Sequence, residues 1–362
     1  MNQLLKFAIE NNVSDVHITE NKEGWLRISG TLTKDDRIIK TENMTEFIEL
    51  VIPSVYEAYR EMLKGERTKP IDAAFKYMFR RFRINIYKGM DGISLAIRLL
   101  SDGILSTDSL FLPDEVKKFT KIKSGLFLVV GTTGSGKSTT LASLIDAINH
   151  ERQENILTIE QPIEYLHKSD KSRITQTEVG AHIESFEEAT RAAMRQDPDI
   201  ILVGEMRDLE TIQNALTLAE TGHAVFATLH AKSVTDTIDR IVDVFPSSQQ
   251  EQIRCQLAKV LAGVLHQSLI RGTNGSVVPL AEQLIVDDVV AAMILAKQKS
   301  NSIRDRLRGQ SGVGNVHIAD NAIWHIQNKR LSADSVVRYM SPDDYSIVRT
   351  TLGTQTQRKG FS

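Results

Sequence analysis

Gly131, Thr132, Thr133, Gly134, Ser135, Gly136, Lys137 and Ser138 are consecutive in this 362-residue chain, and Thr139 follows them. They meet the spacing G-x-x-x-x-G-K-[ST] at every fixed position. The chemistry of that pattern is anion binding. Glycines let the backbone curl until its N–H groups converge on a phosphate. Lys137 adds a full positive charge for β- and γ-phosphates, and the Ser138 hydroxyl is a hard oxygen donor suited to Mg²⁺. The ligand expected at residues 131–139 is therefore ATP with Mg²⁺.

Cleaving a triphosphate also needs carboxylates for the metal and the attacking water, and positive charge for the transition state. Ile200–Val203 reads as a buried strand that ends at Gly204 and Glu205, which puts an acid at the rim where open α/β sheets bind ligands. Glu205 is the candidate acid on the metal side, the Walker B role. A second strand, Ile156–Ile159, runs into Glu160, Gln161, Pro162, Ile163 and Glu164. Both of its carboxylates are candidates for orienting water, with ion pairing to surface lysines the alternative for Glu160. His223 and His230 bracket a third strand, with His230 at the carboxyl end, where an imidazole could sense the γ-phosphate. Arg80, Arg81, Arg83 and Arg98 cluster in two strands of the N-terminal region. They read either as a solvated basic face or as arginine fingers reaching a neighbour's nucleotide. The remaining histidines lack metal-ligand spacing.

The elements that must position these groups can be read from periodicity. Gly125–Val130 is an apolar run ahead of the glycine loop, and Leu141, Leu144, Ile145 and Ile148 follow it at helical spacing. Strands at 126–130, 155–160, 199–203 and 224–229 alternating with helices predict a parallel sheet covered on both faces. From 247 onward the pattern reads as mostly helical, Cys255 included, and 353–362 as a frayed end. Residues 1–105 read as a separate α+β domain with a helix at Leu4–Ile9, strands at Val16–Ile18 and Trp25–Ser29, and one long helix over Met44–Leu63. A three-strand meander follows through Ala74–Phe79, Phe82–Tyr87 and Ile93–Leu99. Residues 106–113, within the Gly- and Pro-punctuated stretch 101–113, read as a linker, and 114–362 as the nucleotide domain.

Composition narrows the classes. Hydrophobic content is 41% and charged content 25%, as in ordinary globular domains. A net charge of −2 with 6% aromatics argues against a dedicated nucleic-acid binder. One cysteine excludes an internal disulfide framework and a cysteine zinc cluster. The longest uninterrupted apolar stretch, Val289–Ala296, is far short of the ~20 residues of a spanning helix. No direct membrane insertion is expected, and the location expected is the cytoplasm.

The chain resembles the PilT-type ATPases of the type IV pilus, within the secretion-ATPase superfamily. The resemblance is densest over residues 196–212, 219–230 and 237–246, and includes Ser14–Ile18 and Arg81–Asn85. It implies a PAS-like α+β domain followed by a RecA-like P-loop motor domain with a helical C-terminal region. It further implies a homo-hexameric ring with nucleotide between the domains, and a pilus platform protein of the inner membrane as partner at the cytoplasmic face. By the same likeness Glu164 is the general base, Glu205 the Walker B acid, His223 and His230 the histidine box, and Arg83 and Arg98 the arginines that reach the nucleotide. The output implied is pilus retraction. Pilus extension, type II secretion and conjugation or type IV secretion are the alternatives, with a RecA-like nucleic-acid motor a remote one. Two departures stand out. Gln161 occupies a place where the family usually has Asp, and Ala291–Arg304 does not carry the family's Ala-Ile-Arg-Asn-Leu-Ile-Arg-Glu helix. A missing four-cysteine zinc module argues against the extension and type II secretion branch, whose members usually carry one.

Overall fold

The computed structural model describes residues 1–11, 13–28, 30–100, 103–298, 300–309 and 314–359. They form two compact units. The first comprises Met1–Gly103, Gln161–Leu166 and Glu178–Ser185, and the second Ile104–Glu160, His167–Thr177 and Phe186–Ser362.

In the first unit, α1 (Asn2–Glu10) leads into β1 (Val13–Thr19), β2 (Glu23–Ile28) and β3 (Thr31–Ile38). After α2 (Thr41–Val51) and α3 (Tyr56–Lys64) come β4 (Ile71–Tyr77), β5 (Arg80–Gly89) and β6 (Gly92–Leu99). The strands form one antiparallel sheet in the order β3-β2-β1-β6-β5-β4. Leu4, Leu5, Phe47, Ile48, Tyr59 and Met62 of the helices share a core with Val16, Phe75, Phe82 and Ile84 of the strands. The single helix expected over 44–63 is two. Pro53 disfavours α geometry at Ile52, and a short 3₁₀ turn at Pro53–Val55 separates the pieces. Strand β3 was not anticipated, because its run of Lys34, Asp35, Asp36 and Arg37 hides the alternation of an edge strand.

The second unit holds β7 (Gly125–Val130), α4 (Lys137–Glu151), β8 (Asn155–Glu160) and β9 (Arg173–Glu178, its last residue belonging to the first unit). It continues with α5 (Phe186–Ala193), β10 (Ile200–Val203), α6 (Leu209–Glu220), β11 (Ala224–Leu229), α7 (Val234–Asp243) and α8 (Gln250–Val260). Then come β12 (Leu261–Arg271), β13 (Val277–Ile285), α9 (Asp288–Leu295), α10 (Ser300–Gly309), α11 (Ile318–Gln327), α12 (Ala333–Val336) and α13 (Pro342–Lys359). The sheet order is β13-β12-β7-β11-β10-β8-β9, with β12, β7, β11, β10 and β8 mutually parallel. Strands β7, β10 and β11 are buried at every residue, as central parallel strands with both faces covered must be. Their carboxyl ends lie on one rim, beside the point where the strand order reverses.

Two elements differ from their sequence-based expectation. The region after 247 carries the long β12–β13 hairpin, so Leu261 and Val264 lie on a strand while Cys255 lies on α8. The apolar run fits either period, and packing decides for the strand. A Cβ on Gly263 would stand 2.4 Å from the Phe119 ring and 2.9 Å from the Leu284 carbonyl. Residues 104–113 belong to the second unit rather than to a linker. The Leu105 carbonyl accepts from Ser143 Oγ at 2.5 Å, and Leu112 packs on the core formed by Phe127, Leu141 and Leu144. The C-terminal stretch is helical to Lys359, and 360–362 fall outside the described residues. No helix among the described residues is long and apolar enough to cross a membrane.

Candidate functional site

The loop 131–136 leaves the end of β7 and turns into α4. Gly131, Gly134 and Gly136 have φ of 151°, 77° and 86°. These values belong to glycine, and they turn successive N–H groups toward one side. The Ser135 N–H donates to the Thr132 carbonyl at 3.2 Å. Lys137 Nζ lies 3.1 Å from the Gly131 carbonyl and 3.0 Å from that of Thr132, which holds its charge over the loop. Thr132, Thr133 and Ser138 are exposed at the helix start, and the Thr139 carbonyl accepts from Ser143 Oγ at 2.9 Å inside α4. Ser135 is buried, and its Oγ has no hydrogen-bond partner among the described residues.

Glu205 follows β10 on the same rim. Gly204 permits this, since a Cβ there would crowd the Glu160 Cα and the Ile159 carbonyl, each at 3.3 Å. Glu205 Oε1 is 3.0 Å from His230 Nε2, at the end of β11, and Oε2 is 2.6 Å from Arg207 Nη2. Burial resists ionisation of Glu205. The Arg207 hydrogen bond and the charges of Arg207, His230 and Lys137 outweigh it and hold its pKa below the usual carboxylate value. Thr228 Oγ1 donates to the Gly204 carbonyl at 2.5 Å, and the Met206 N–H donates to the Thr228 carbonyl at 2.9 Å, fixing the acid's loop against β11. Glu160, at the end of β8, accepts from Thr158 Oγ1 at 2.7 Å and from Gln176 Nε2 at 3.3 Å.

Within the second unit the structure thus brings together Lys137, Glu205 and His230. Glu164, Arg83 and Arg98 belong to the first unit. Arg83 and Arg98 are directly opposite one another on β5 and β6. Like charges so placed repel, and acids flank them. Arg98 Nε is 2.8 Å from Asp15 Oδ1, and Arg83 Nη2 is 3.6 Å from Asp72 Oδ1. Arg98 remains largely exposed. Glu164 is half-buried on the segment 161–166. His223 stands at the opposite end of β11 from His230, its Nδ1 within 2.9 Å of the Leu218 carbonyl.

A family model described as type II/IV secretion system protein matches residues 1–360. The chain belongs to that family. It is 38% identical over 313 residues to a Pseudomonas aeruginosa protein named type IV pilus retraction ATPase PilT, covering 83% of this chain and 89% of that one. It is 35% identical over 323 residues to a Neisseria gonorrhoeae twitching motility protein, covering 89% and 85%. A crystal structure of the pilus retraction motor PilT with bound ADP aligns with a TM-score of 0.83 at 36% identity, over 95% of this chain and 98% of that one. The Legionella pneumophila ATPase DotB aligns with a TM-score of 0.78 at 26% identity, over 97% and 95%. The fold is that of the RecA-like secretion ATPases, and the chain is an ATPase of this family.

The second unit fits a nucleotide on its own terms. It offers a loop of left-handed glycines, a cation above it and an unpaired buried hydroxyl within it. Oxygen donors suited to a hard cation are present in the exposed Ser138 hydroxyl and the ionised Glu205.

Two residues that hold main chain beside candidate groups escaped the sequence reading. Gln267 of β12 donates through Nε2 to the Ser135 carbonyl at 2.5 Å. Its only sequence signal is the polar triplet His266, Gln267 and Ser268 between apolar residues. Glu178 accepts from the Ile163 N–H at 3.0 Å and lies 3.5 Å from Arg81 Nη2, so Arg81 is tied, through Glu178, to the backbone next to Glu164.

Proposed function

We propose that the chain is a ring-forming motor, six copies to a ring, that hydrolyses ATP with Mg²⁺ and powers retraction of a type IV pilus. The observation that carries the reading is the meeting of a lysine-capped glycine loop with the ionised, half-buried Glu205 in one unit. In this reading the loop N–H groups and Lys137 hold the phosphates, and Ser138 and Glu205 hold the metal. Mg²⁺, when bound, neutralises phosphate charge. Glu164 takes the proton of the attacking water, His230 orients Glu205, and Arg83 and Arg98 reach the nucleotide of a neighbouring copy. The two compact units are the moving domains, and the partner is a pilus platform protein at the cytoplasmic face of the inner membrane. The relatives named for pilus retraction and twitching motility support this output.

A second reading, a motor for a secretion machine, is favoured by the family's description as type II/IV secretion system protein and by the divergent sequence at 291–304.

The test begins with turnover. Lys137→Ala is expected to lower it by at least about 100-fold, and a variant ring that hydrolyses ATP normally refutes the site. Glu164→Gln is expected to bind ATP while hydrolysing it poorly. A deletion strain with excess pili supports retraction, and one with none points to extension or assembly.

A further inference from the structure

We infer that Gln267 is a positioning residue for nucleotide binding: its side-chain amide fixes the Ser135–Gly136 peptide so that the N–H groups of the loop face the phosphates. The inference rests on the ATP reading above and adds a residue that no part of the glycine motif contains.

Strand β12 runs parallel to β7 with His266 opposite Val130, so Gln267 falls level with Gly131, the first residue of the loop. Its side chain is 1% exposed and spans two anchors. Nε2 donates to the Ser135 carbonyl, and Oε1 accepts from Thr140 Oγ1 at 2.9 Å, in the first turn of α4. One amide therefore ties the loop to the helix that begins at its end.

The consequence follows from peptide geometry. A trans peptide is planar, and its C=O and N–H point in opposite directions. Holding the Ser135 oxygen toward Gln267 directs the Gly136 N–H away from it. Flipping the Gln267 amide would set two acceptor oxygens against each other at the Ser135 carbonyl, so the observed orientation is the stable one. The Thr140 hydroxyl satisfies the buried oxygen that remains.

The glycines at both fixed positions of the motif also answer to this residue. A Cβ on Gly131 would lie 2.3 Å from the Gln267 carbonyl oxygen, and a Cβ on Gly136 would lie 3.0 Å from Nε2. The loop is moulded from the β12 side by Gln267 as well as from the phosphate side.

The test compares Gln267→Met, which keeps length and loses the donor, with Thr140→Val, Thr140→Ser and the Met/Val double variant. Two readouts are needed: affinity for a fluorescent ADP analogue, and hydrogen–deuterium exchange of residues 131–140 without nucleotide. Gln267→Met is expected to weaken binding about tenfold and to raise KM for ATP by a like factor, with kcat within about threefold. Thr140→Val is expected to weaken binding about threefold, Thr140→Ser to restore it, and the double variant to be no worse than Gln267→Met alone. Exchange in the loop is expected to accelerate in step. Unchanged binding and exchange in Gln267→Met overturn the inference, as do multiplicative effects of the two substitutions. If Gln267→Met does not fold, the milder Thr140→Val decides by the same readouts. If the wild-type chain binds no nucleotide, the ATP reading fails, and loop exchange alone then decides for or against Gln267.

Discussion

Alanine substitution separates the glycines of the phosphate loop by amounts that can be worked from their surroundings. At Gly131 the backbone has φ 151°, and a Cβ would stand 2.3 Å from the Gln267 carbonyl and 2.6 Å from Ser135 Oγ. The conformation alone costs a residue with a side chain about 1–3 kcal/mol. The nearer overlap is with the main chain of β12, which its pairing with β13 keeps from rotating away, and overpacking of that kind adds about 1–3 kcal/mol. Gly131→Ala is thus expected to cost about 4 kcal/mol. In a unit of this size that lowers the melting temperature by roughly 8–16 °C, unless the loop distorts instead. Gly134 has φ 77°, and nothing lies within 4 Å of its added Cβ. Its alanine variant pays only the left-handed preference, about 1 kcal/mol, partly offset by a stiffer unfolded chain. The assay is calorimetry together with ADP titration on both variants. Gly131→Ala is expected to lose stability, nucleotide affinity or both, with Gly134→Ala close to wild type. A Gly131→Ala protein that melts and binds like wild type refutes the reasoning, because the contact with β12 would then impose nothing on the loop.

Two further perturbations probe the second unit away from the loop. Burial lowers the His266 pKa to about 4, with Asp236 partly opposing it. The folded state keeps this imidazole neutral while the unfolded chain protonates near 6.5, so its stabilisation is complete above that value and is lost as pH falls toward 4. Between pH 7 and 5 the loss is about 2 kcal/mol. Urea unfolding of His266→Gln and wild type at both pH values should show the variant losing that much less; equal losses refute it. Asp344 of α13 is fully buried and pairs with Arg304, with Arg308 Nη2 at 2.7 Å and with His317 Nε2 at 3.2 Å. Asp344→Asn removes the buried carboxylate that faces the Arg304 and Arg308 guanidinium groups and is expected to cost about 3–5 kcal/mol, read by the same unfolding measurement. A loss under about 1 kcal/mol would show that the cluster is solvated in solution.

What could be read from the sequence and what could not differ in a physical way. Gly131–Ser138 is legible because a phosphate is gripped by consecutive backbone groups, and the grip constrains neighbouring residue types. The fully buried strands β7, β10 and β11 are legible because both faces are covered, so their apolar runs are unbroken. The β12–β13 hairpin is hidden because Leu261 and Val264 continue the helical spacing of Ile253, Leu257 and Val260. The deciding signal was the turn at Asn274 and Gly275, which joins the two strands. Gln267 and Glu178 were missed for a different reason. Gln267 meets the Ser135 carbonyl across 132 residues of chain, and Glu178 meets the Ile163 N–H across 15. Each holds main chain next to a candidate catalytic group rather than a ligand, and a backbone carbonyl or N–H demands no particular side chain of the residue that carries it. Such an anchor leaves no paired motif at its target. It shows in one sequence only as a polar residue on a strand, whose burial makes it expensive unless it is bonded. Buried amides and carboxylates bonded to the main chain of a site are therefore the residues to perturb next to the motif itself. Their loss should change how tightly the site binds before it changes the chemistry performed there.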